Sequence, residues 1–303
     1  MTNIDQHFEA YSAWRQGLFK AVGAFRGWLQ SQELADAQVD QRLDQVLSTL
    51  RDDKLYVAFV AEFSRGKSEL INAIFFAAFG QRVLPSSAGR TTMCPTELMY
   101  EKGSAPCIRL LPIETRASGT SVSELRGFAE EWTTIPLDIE SPDKVAQALQ
   151  HIAEIKKVTK EIAQTLGLHI AEEETQNGMH LAEDGMVEVP RWRHAIINFP
   201  HPLLDQGLVI LDTPGLNALG TEPELTLSLL PSAHAVLFIL AADTGVTKSD
   251  IQVWHDFISN PKHGSNKGRI AVLNKIDGLW DELKTEDAVK AEIDRQVKET
   301  ARH

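Results

Sequence analysis

The apolar run Leu55-Tyr-Val-Ala-Phe-Val60 passes without interruption into Ala61-Glu-Phe-Ser-Arg-Gly66-Lys67-Ser68 and then into Glu69-Leu-Ile-Asn-Ala-Ile74. A continuous apolar run of this length predicts a strand covered on both faces. A strand that ends in a Gly-Lys-Ser loop before a helix is a phosphate cradle in its required context. Backbone N–H groups and the helix N-terminus face the anion, Lys67 reaches the β- and γ-phosphates, and the Ser68 hydroxyl ligates Mg²⁺. The usual first glycine of such a loop is Ala61, which fits if its φ is negative.

A strand buried on both faces needs further strands and covering helices. Leu208–Leu211, Ala235–Leu240 and Arg269–Leu273 are runs of the same kind, and Cys94–Tyr100 and Cys107–Ile113 predict extra strands. Helices are expected over 68–79, 121–132, 142–166, 249–259 and 283–300, the third opened by Ser141-Pro-Asp. The pattern is α/β, a doubly wound, mainly parallel sheet with helices on both faces and ligands at the strand C-terminal ends. Before it, Ile4, Phe8, Tyr11, Trp14, Leu18, Val22, Phe25 and Leu29 recur at helical spacing, and Leu34, Val39, Leu43, Val46 and Leu50 continue the pattern. These two amphipathic helices read as bundle-packing elements rather than a membrane-insertion face. Residues 1–52 are thus a helical segment and 53–303 a nucleotide-binding domain.

Two further motifs sit at strand ends. Val209-Ile-Leu-Asp212-Thr-Pro-Gly215 offers Asp212 to a Mg²⁺-bound water and the Gly215 N–H to a γ-phosphate. Leu273-Asn274-Lys275-Ile-Asp277 reads guanine: Asn274 at N7 and O6, Asp277 accepting from N1 and the exocyclic amine, Lys275 across the base plane. Adenine lacks those donors, and an unmatched buried polar group is costly, so the pair selects GTP over ATP. Between these motifs, Thr91 or Thr92 supplies a hydroxyl and carbonyl to close over Mg²⁺, with Thr91 favoured.

Thirty Lys and Arg against 42 Asp and Glu give a net charge of −12, which argues against a nucleic-acid binder and against bulk attraction to anionic lipid. The acidic stretch 172–188 is expected to be a solvated loop. The two cysteines, Cys94 and Cys107, are too few for a disulfide framework and fit a reducing, cytoplasmic setting with both thiols inert. The apolar run Ala235–Ala242 is eight residues long, against the ~20 a spanning helix needs. No His has metal-ligand spacing with Cys or acids, and Trp192 and Trp254 read as packing residues.

The run Phe59-Val-Ala-Glu-Phe-Ser-Arg-Gly-Lys-Ser68, the segment Thr91-Thr-x-x-Pro-Thr-Glu-Leu98, Leu211-Asp-Thr-Pro-Gly-Leu216 and Leu273-Asn-Lys-Ile-Asp277 resemble the bacterial dynamin-like GTPases. That resemblance implies a P-loop GTPase domain enlarged by insertions, since Thr92 and Asp212 stand 120 residues apart. It implies that residues 1–52 belong to a helical neck completed by C-terminal helices of a longer chain. It also implies self-association through the GTPase domain and membrane remodelling, with lipid contact only through regions beyond residue 303 and a peripheral place at the inner membrane face. Ser64 stands where the family usually has a Ser implicated in monovalent-cation (K⁺ or Na⁺) assistance. Phe63 stands where eukaryotic relatives resemble Gln. Arg65 is one position later than the internal arginine finger of related large GTPases, and is either such a finger or a solvent-facing or interface residue.

The function expected is GTP binding and hydrolysis, with GTP-dependent pairing of domains moving a helical neck. Two alternatives are a regulatory switch whose GTP state recruits a protein partner, and an assembly scaffold with weak nucleotide binding. The helix at 283–300 is expected to lead into one more strand carrying a last base-contacting loop, so the domain reads as incomplete at its C-terminal end.

Overall fold

The structure is a computed structural model that describes residues 3–34, 36–51, 54–62, 64–85, 94–168, 186–213, 230–258, 268–280 and 285–302. Two compact units divide the chain, Met1–Leu55 and Tyr56–His303.

The first unit is an αα-hairpin of helices Asn3–Ser31 and Ala37–Arg51. Glu33, at φ 57°, turns the chain after the first helix, and Asp36 caps the second by accepting the Val39 N–H at 2.7 Å. Arg26 binds the two helices together, with Nε 3.0 Å from Asp40 and both terminal nitrogens on the Asp44 carboxylate. Tyr11, Trp14, Leu18, Phe25 and Trp28 stand exposed along the longer helix.

The second unit is built on ten strands among the described residues: β1 Leu55–Ala61, β2 Thr96–Met99, β3 Cys107–Pro112, β4 Thr133–Pro136, β5 Ile155–Val158, β6 Val187–Pro190, β7 Trp192–Asn198, β8 Leu208–Asp212, β9 Ala235–Ala241 and β10 Gly268–Asn274. Eight form one sheet in the order β10-β9-β1-β8-β2-β7-β3-β4, and β5 pairs antiparallel with β6 in a second. β9 lies parallel to both β1 and β10. β2 runs parallel to β7 but antiparallel to β8, and β3 is antiparallel to β7 and β4. The architecture is α/β, with parallel pairing around β9 and an antiparallel extension.

Alternate residues of β1 serve different cores, as the two-residue strand period requires. Phe59 and Ala61 join Ile71, Phe75, Leu98, Leu149, Ile197 and Ile239 on one face; Ala58 and Val60 join Met99, Trp132, Ile196, Leu211, Phe238 and Val253 on the other. Helix Lys67–Phe75 covers the first face with Ile71 and Phe75, and helix Lys248–Val253 covers the second with Val253. Trp192 and Cys94 are buried. Cys107 is half-buried, and burial pushes its thiol up, away from the reactive thiolate.

Three expected elements differ. The helix expected over 121–132 is a short turn, Val122–Leu125, stopped before Gly127 and followed by a 3₁₀ turn and β4. The helix expected over 142–166 begins at Pro142 as read but ends at Gln150, giving way to a 3₁₀ turn, β5 and helix Lys160–Thr165. β6 begins at Val187, inside the expected 172–188 loop, of which residues 172–185 lie outside the described residues.

Candidate functional site

The strand order places the C-terminal ends of β1, β8, β9 and β10 side by side, and the chemistry-bearing residues fall at those ends. Ala61 closes β1 as a fully buried strand residue, without the positive φ that would demand glycine. The loop then turns through two left-handed residues, Ser64 at φ 61° and Gly66 at φ 82°. Ser64 is exposed and carries the strain a side chain meets there, about 1 kcal/mol. At Gly66 the positive φ strains any side chain, and a Cβ would lie 2.5 Å from Asn274 Nδ2, so the asparagine amide would have to give way. Helix Lys67–Phe75 starts immediately after, with the Leu70 N–H bonding back to the Gly66 carbonyl at 2.9 Å.

Lys67 Nζ stands 2.6 Å from Asp212 Oδ1, and both residues are buried, as is Ser68. The approach of the two charges lacks hydrogen-bond geometry, so the ammonium is paired in charge while its donors are not aligned on an acceptor. Next to Asp212, the fully buried Thr213 donates its hydroxyl to the Phe59 carbonyl at 2.9 Å, which fastens the end of β8 to β1. A lysine and a carboxylate therefore meet at a helix N-terminus whose second residue is the buried Ser68. Polyphosphate with a divalent cation needs that donor set: cationic and N–H donors for phosphate oxygens, oxygen ligands for the metal.

The base-reading segment is attached to the same loop. Asn274, the last residue of β10, donates Nδ2 to the Arg65 carbonyl at 2.9 Å and the Gly66 carbonyl at 3.3 Å. Lys275 adopts φ 57° and places Nζ 3.0 Å from Asp243 Oδ2, just beyond β9. That hydrogen bond, aided by Thr244 and the charges of Lys275 and Arg65, outweighs burial and holds the Asp243 carboxyl below its ordinary value. Asp277 is the second residue of the 3₁₀ turn Ile276–Leu279 and is exposed.

Arg65 does not face solvent: it is 6% exposed, and its NH2 nitrogen donates to Asp250 Oδ2 at 2.9 Å. Phe63, Thr91, Thr92 and Gly215 lie outside the described residues.

Residues missed in the sequence also shape the site. Asn72 is buried on the phosphate-loop helix, accepts the N–H groups of Val83 (3.2 Å) and Leu84 (2.9 Å), and donates to the Leu84 carbonyl (3.2 Å). Its signal was a lone amide beside apolar Ile71 and Phe75. Thr247 and Asp250 form a capping box readable from the spacing Thr-x-x-Asp. Thr96, at the start of β2, lies opposite Asp212 in register.

A family model described as the Dynamin family matches residues 57–276. The chain belongs to the dynamin family. It carries the family's GTPase-type domain, and the match contains every site residue named above except Asp277, one residue past its end. A bacterial dynamin-like protein of Nostoc punctiforme is 24% identical over 227 residues, covering 74% of this chain and 24% of that one. The chain thus spans about a quarter of the length of that curated relative. Among solved structures, a chain of an oligomerised bacterial dynamin pair, described as a mechanism for sensing and tethering membranes, superposes over 95% of this chain and 36% of its own at TM-score 0.46 and 16% identity. Era of Aquifex aeolicus bound to GDP.AlF4- superposes over 82% of this chain and 48% of its own at TM-score 0.33 and 18% identity.

Proposed function

We propose that this domain binds GTP with Mg²⁺ and hydrolyses it, and that turnover is coupled to pairing of two such domains and to movement of the helical segment 1–52 for membrane remodelling. The observation that carries the nucleotide reading is the convergence of Lys67, Ser68, Asp212 and Asn274 around one glycine loop.

Ser68 and Asp212 would hold Mg²⁺, which when bound neutralises charge on the phosphate oxygens. Lys67 exchanges the Asp212 carboxylate for phosphate, a swap of one buried anion for another. The loop N–H groups and the helix N-terminus stabilise negative charge as it moves toward the leaving phosphate. Asn274 and Asp277 select guanine, and Lys275, steadied by Asp243, covers the base. No side chain at the described site acts as a strong general base, which suits phosphoryl transfer, where positioning and charge dominate. Thr91 as the switch residue, Thr92 as its alternative, the Gly215 N–H and a monovalent cation beside Ser64 complete the reading.

Lys67→Ala is expected to lower GTP turnover by about a hundredfold or more. Asp277→Asn is expected to lose GTP and gain xanthosine triphosphate in calorimetry with Mg²⁺. Unchanged GTP affinity in Asp277→Asn would overturn the base assignment. Turnover per molecule that rises with protein concentration supports pairing, whereas constant turnover per molecule favours a regulatory switch. Stimulation by K⁺ over choline tests the cation.

A further inference from the structure

We infer that Arg65 is a positioning residue: through its buried pair with Asp250 it locks the phosphate loop to the base-reading side of the site, and it lends no charge to the reacting phosphates. This inference rests on the guanine-nucleotide reading above.

The anchor is fixed before Arg65 reaches it. Asp250 is fully buried at the start of helix Lys248–Val253, and its Oδ2 accepts from the Thr247 N–H at 2.9 Å and the Thr247 hydroxyl at 2.7 Å. In return the Asp250 N–H donates to Thr247 Oγ1 at 3.2 Å, completing the capping box. Val253 of the same helix packs in the core layer under β9. The carboxylate is therefore held by a helix seated on the sheet.

Arg65 docks on this anchor with NH2 at 2.9 Å from Asp250 Oδ2 and 3.4 Å from Thr247 Oγ1; the two ionic side chains are 7% and 0% exposed. Its own carbonyl is meanwhile taken by Asn274 Nδ2, which also reaches the Gly66 carbonyl. Asn274 is fixed in turn, its carbonyl accepting the Ala242 N–H at 2.9 Å. One residue thus has its side chain tied to the segment after β9 and its backbone tied to the end of β10. The phosphate loop, the Thr247–Asp250 box and the base-reading asparagine form a closed triangle with Arg65 at one corner.

The same geometry argues against a transition-state role. To reach a phosphate, the guanidinium would have to leave Asp250 as an uncompensated charge in the core, the costliest way to break a buried pair. The pair instead sets where Gly66 lies, with its carbonyl on Asn274 Nδ2 at 3.3 Å and any added Cβ only 2.5 Å from that amide. Loosening Arg65 would therefore be felt as weaker nucleotide holding, with or without a γ-phosphate.

The test uses the 303-residue chain and a fluorescent GDP analogue, alongside steady-state GTP turnover. Arg65→Lys and Asp250→Asn are each expected to weaken GDP about tenfold, roughly 1.4 kcal/mol. Each should raise KM by more than it lowers kcat. The double variant should be no weaker than the worse single one, because both remove the same contact. GDP carries no γ-phosphate, so a transition-state arginine would leave its affinity unmoved. A kcat fall of about a thousandfold in Arg65→Lys with unchanged GDP affinity would overturn the inference in favour of a finger. So would parent-like GDP affinity in a folded Asp250→Asn. If the parent chain bound no guanine nucleotide at all, the nucleotide reading would fall first and the inference with it, which separates the two failures.

Discussion

The strands β10, β9, β1 and β8 carry their candidate site residues at their C-terminal ends or just past them, whereas β2 and β7 carry Glu97, Arg193 and His194 within the strand. In the first group Lys67, Asp212, Asp243 and Asn274 pair across strand ends, where a bound ligand can replace one partner with another. In the second group the polar residues are satisfied by one another and by the turns that flank the sheet. Glu97 on β2 accepts from His194 on β7 at 2.9 Å and from Arg126, while Arg193 donates to the Thr115 carbonyl at 2.9 Å. Asn198 donates to the Ala105 carbonyl at 3.0 Å and accepts the Glu101 N–H at 2.8 Å. A buried polar group within a strand, such as Glu97 or His194, thus serves the fold, whereas one at a strand end is assigned by its partners: Asn198 and Thr213 hold backbone, while Lys67 and Asp212 face each other as exchangeable charges.

If that division is right, the largest effect lies in the second group and is purely structural. Burial pushes the Glu97 carboxyl up, but the His194 hydrogen bond and the charges of His194 and Arg126 outweigh it and hold it at about 2. A carboxyl lowered on folding stabilises fully above its ordinary value near 4.5, and that stability drains away as pH falls toward 2. Glu97→Ala should cost about 3–5 kcal/mol at neutral pH, because the Arg126 guanidinium and the buried His194 ring lose the carboxylate they share. Denaturant midpoints measured between pH 7 and pH 2 should show Glu97→Gln lacking roughly 3 kcal/mol of the parent's acid-dependent loss. A Glu97 variant of parental stability but poor GTP binding would break the comparison.

Gly66→Ala should behave in the opposite way. Its φ of 82° and the 2.5 Å approach to Asn274 predict about a hundredfold loss of nucleotide affinity, with a change in unfolding free energy near 1 kcal/mol. The smallest effect is expected at Asp243, whose pair with Lys275 is about half exposed. Asp243→Asn should change stability by less than about 1 kcal/mol and only quicken the release of a fluorescent GDP about twofold. A larger change in stability than at Glu97 would mean that the strand-end pairs hold the fold together after all.

The same division decided what could be read from the sequence. β1, β8, β9 and β10 keep their polar residues outside the apolar run, so each stood out as an unbroken strand with its motif at the end. β7 did not, because Arg193 and His194 interrupt it, and only partners distant in sequence, Thr115 and Glu97, explain their burial. The single helix expected over 142–166 failed because Ile152, Ile155 and Val158 are spaced by three and imitate a helical stripe, although Ile155–Val158 pairs with β6. Leu125, Phe128 and Trp132 imitate one likewise across Gly127. Within the candidate site, the neighbourhood of Lys67, Asp212 and Asn274 was legible because each stands at or just past the end of an unbroken apolar strand. Asp250 and Asn72 were not, since their roles depend on partners 185 and 11–12 residues away.

Asn72 has a mechanical consequence. Its one amide grips the backbone of Val83 and Leu84 through both its oxygen and its nitrogen, so the helix behind the phosphate loop and the chain at 83–84 move as a single lever arm. The anchor therefore sets the position of the chain one residue before Pro85, from which the sequence runs on to Thr91 and Thr92.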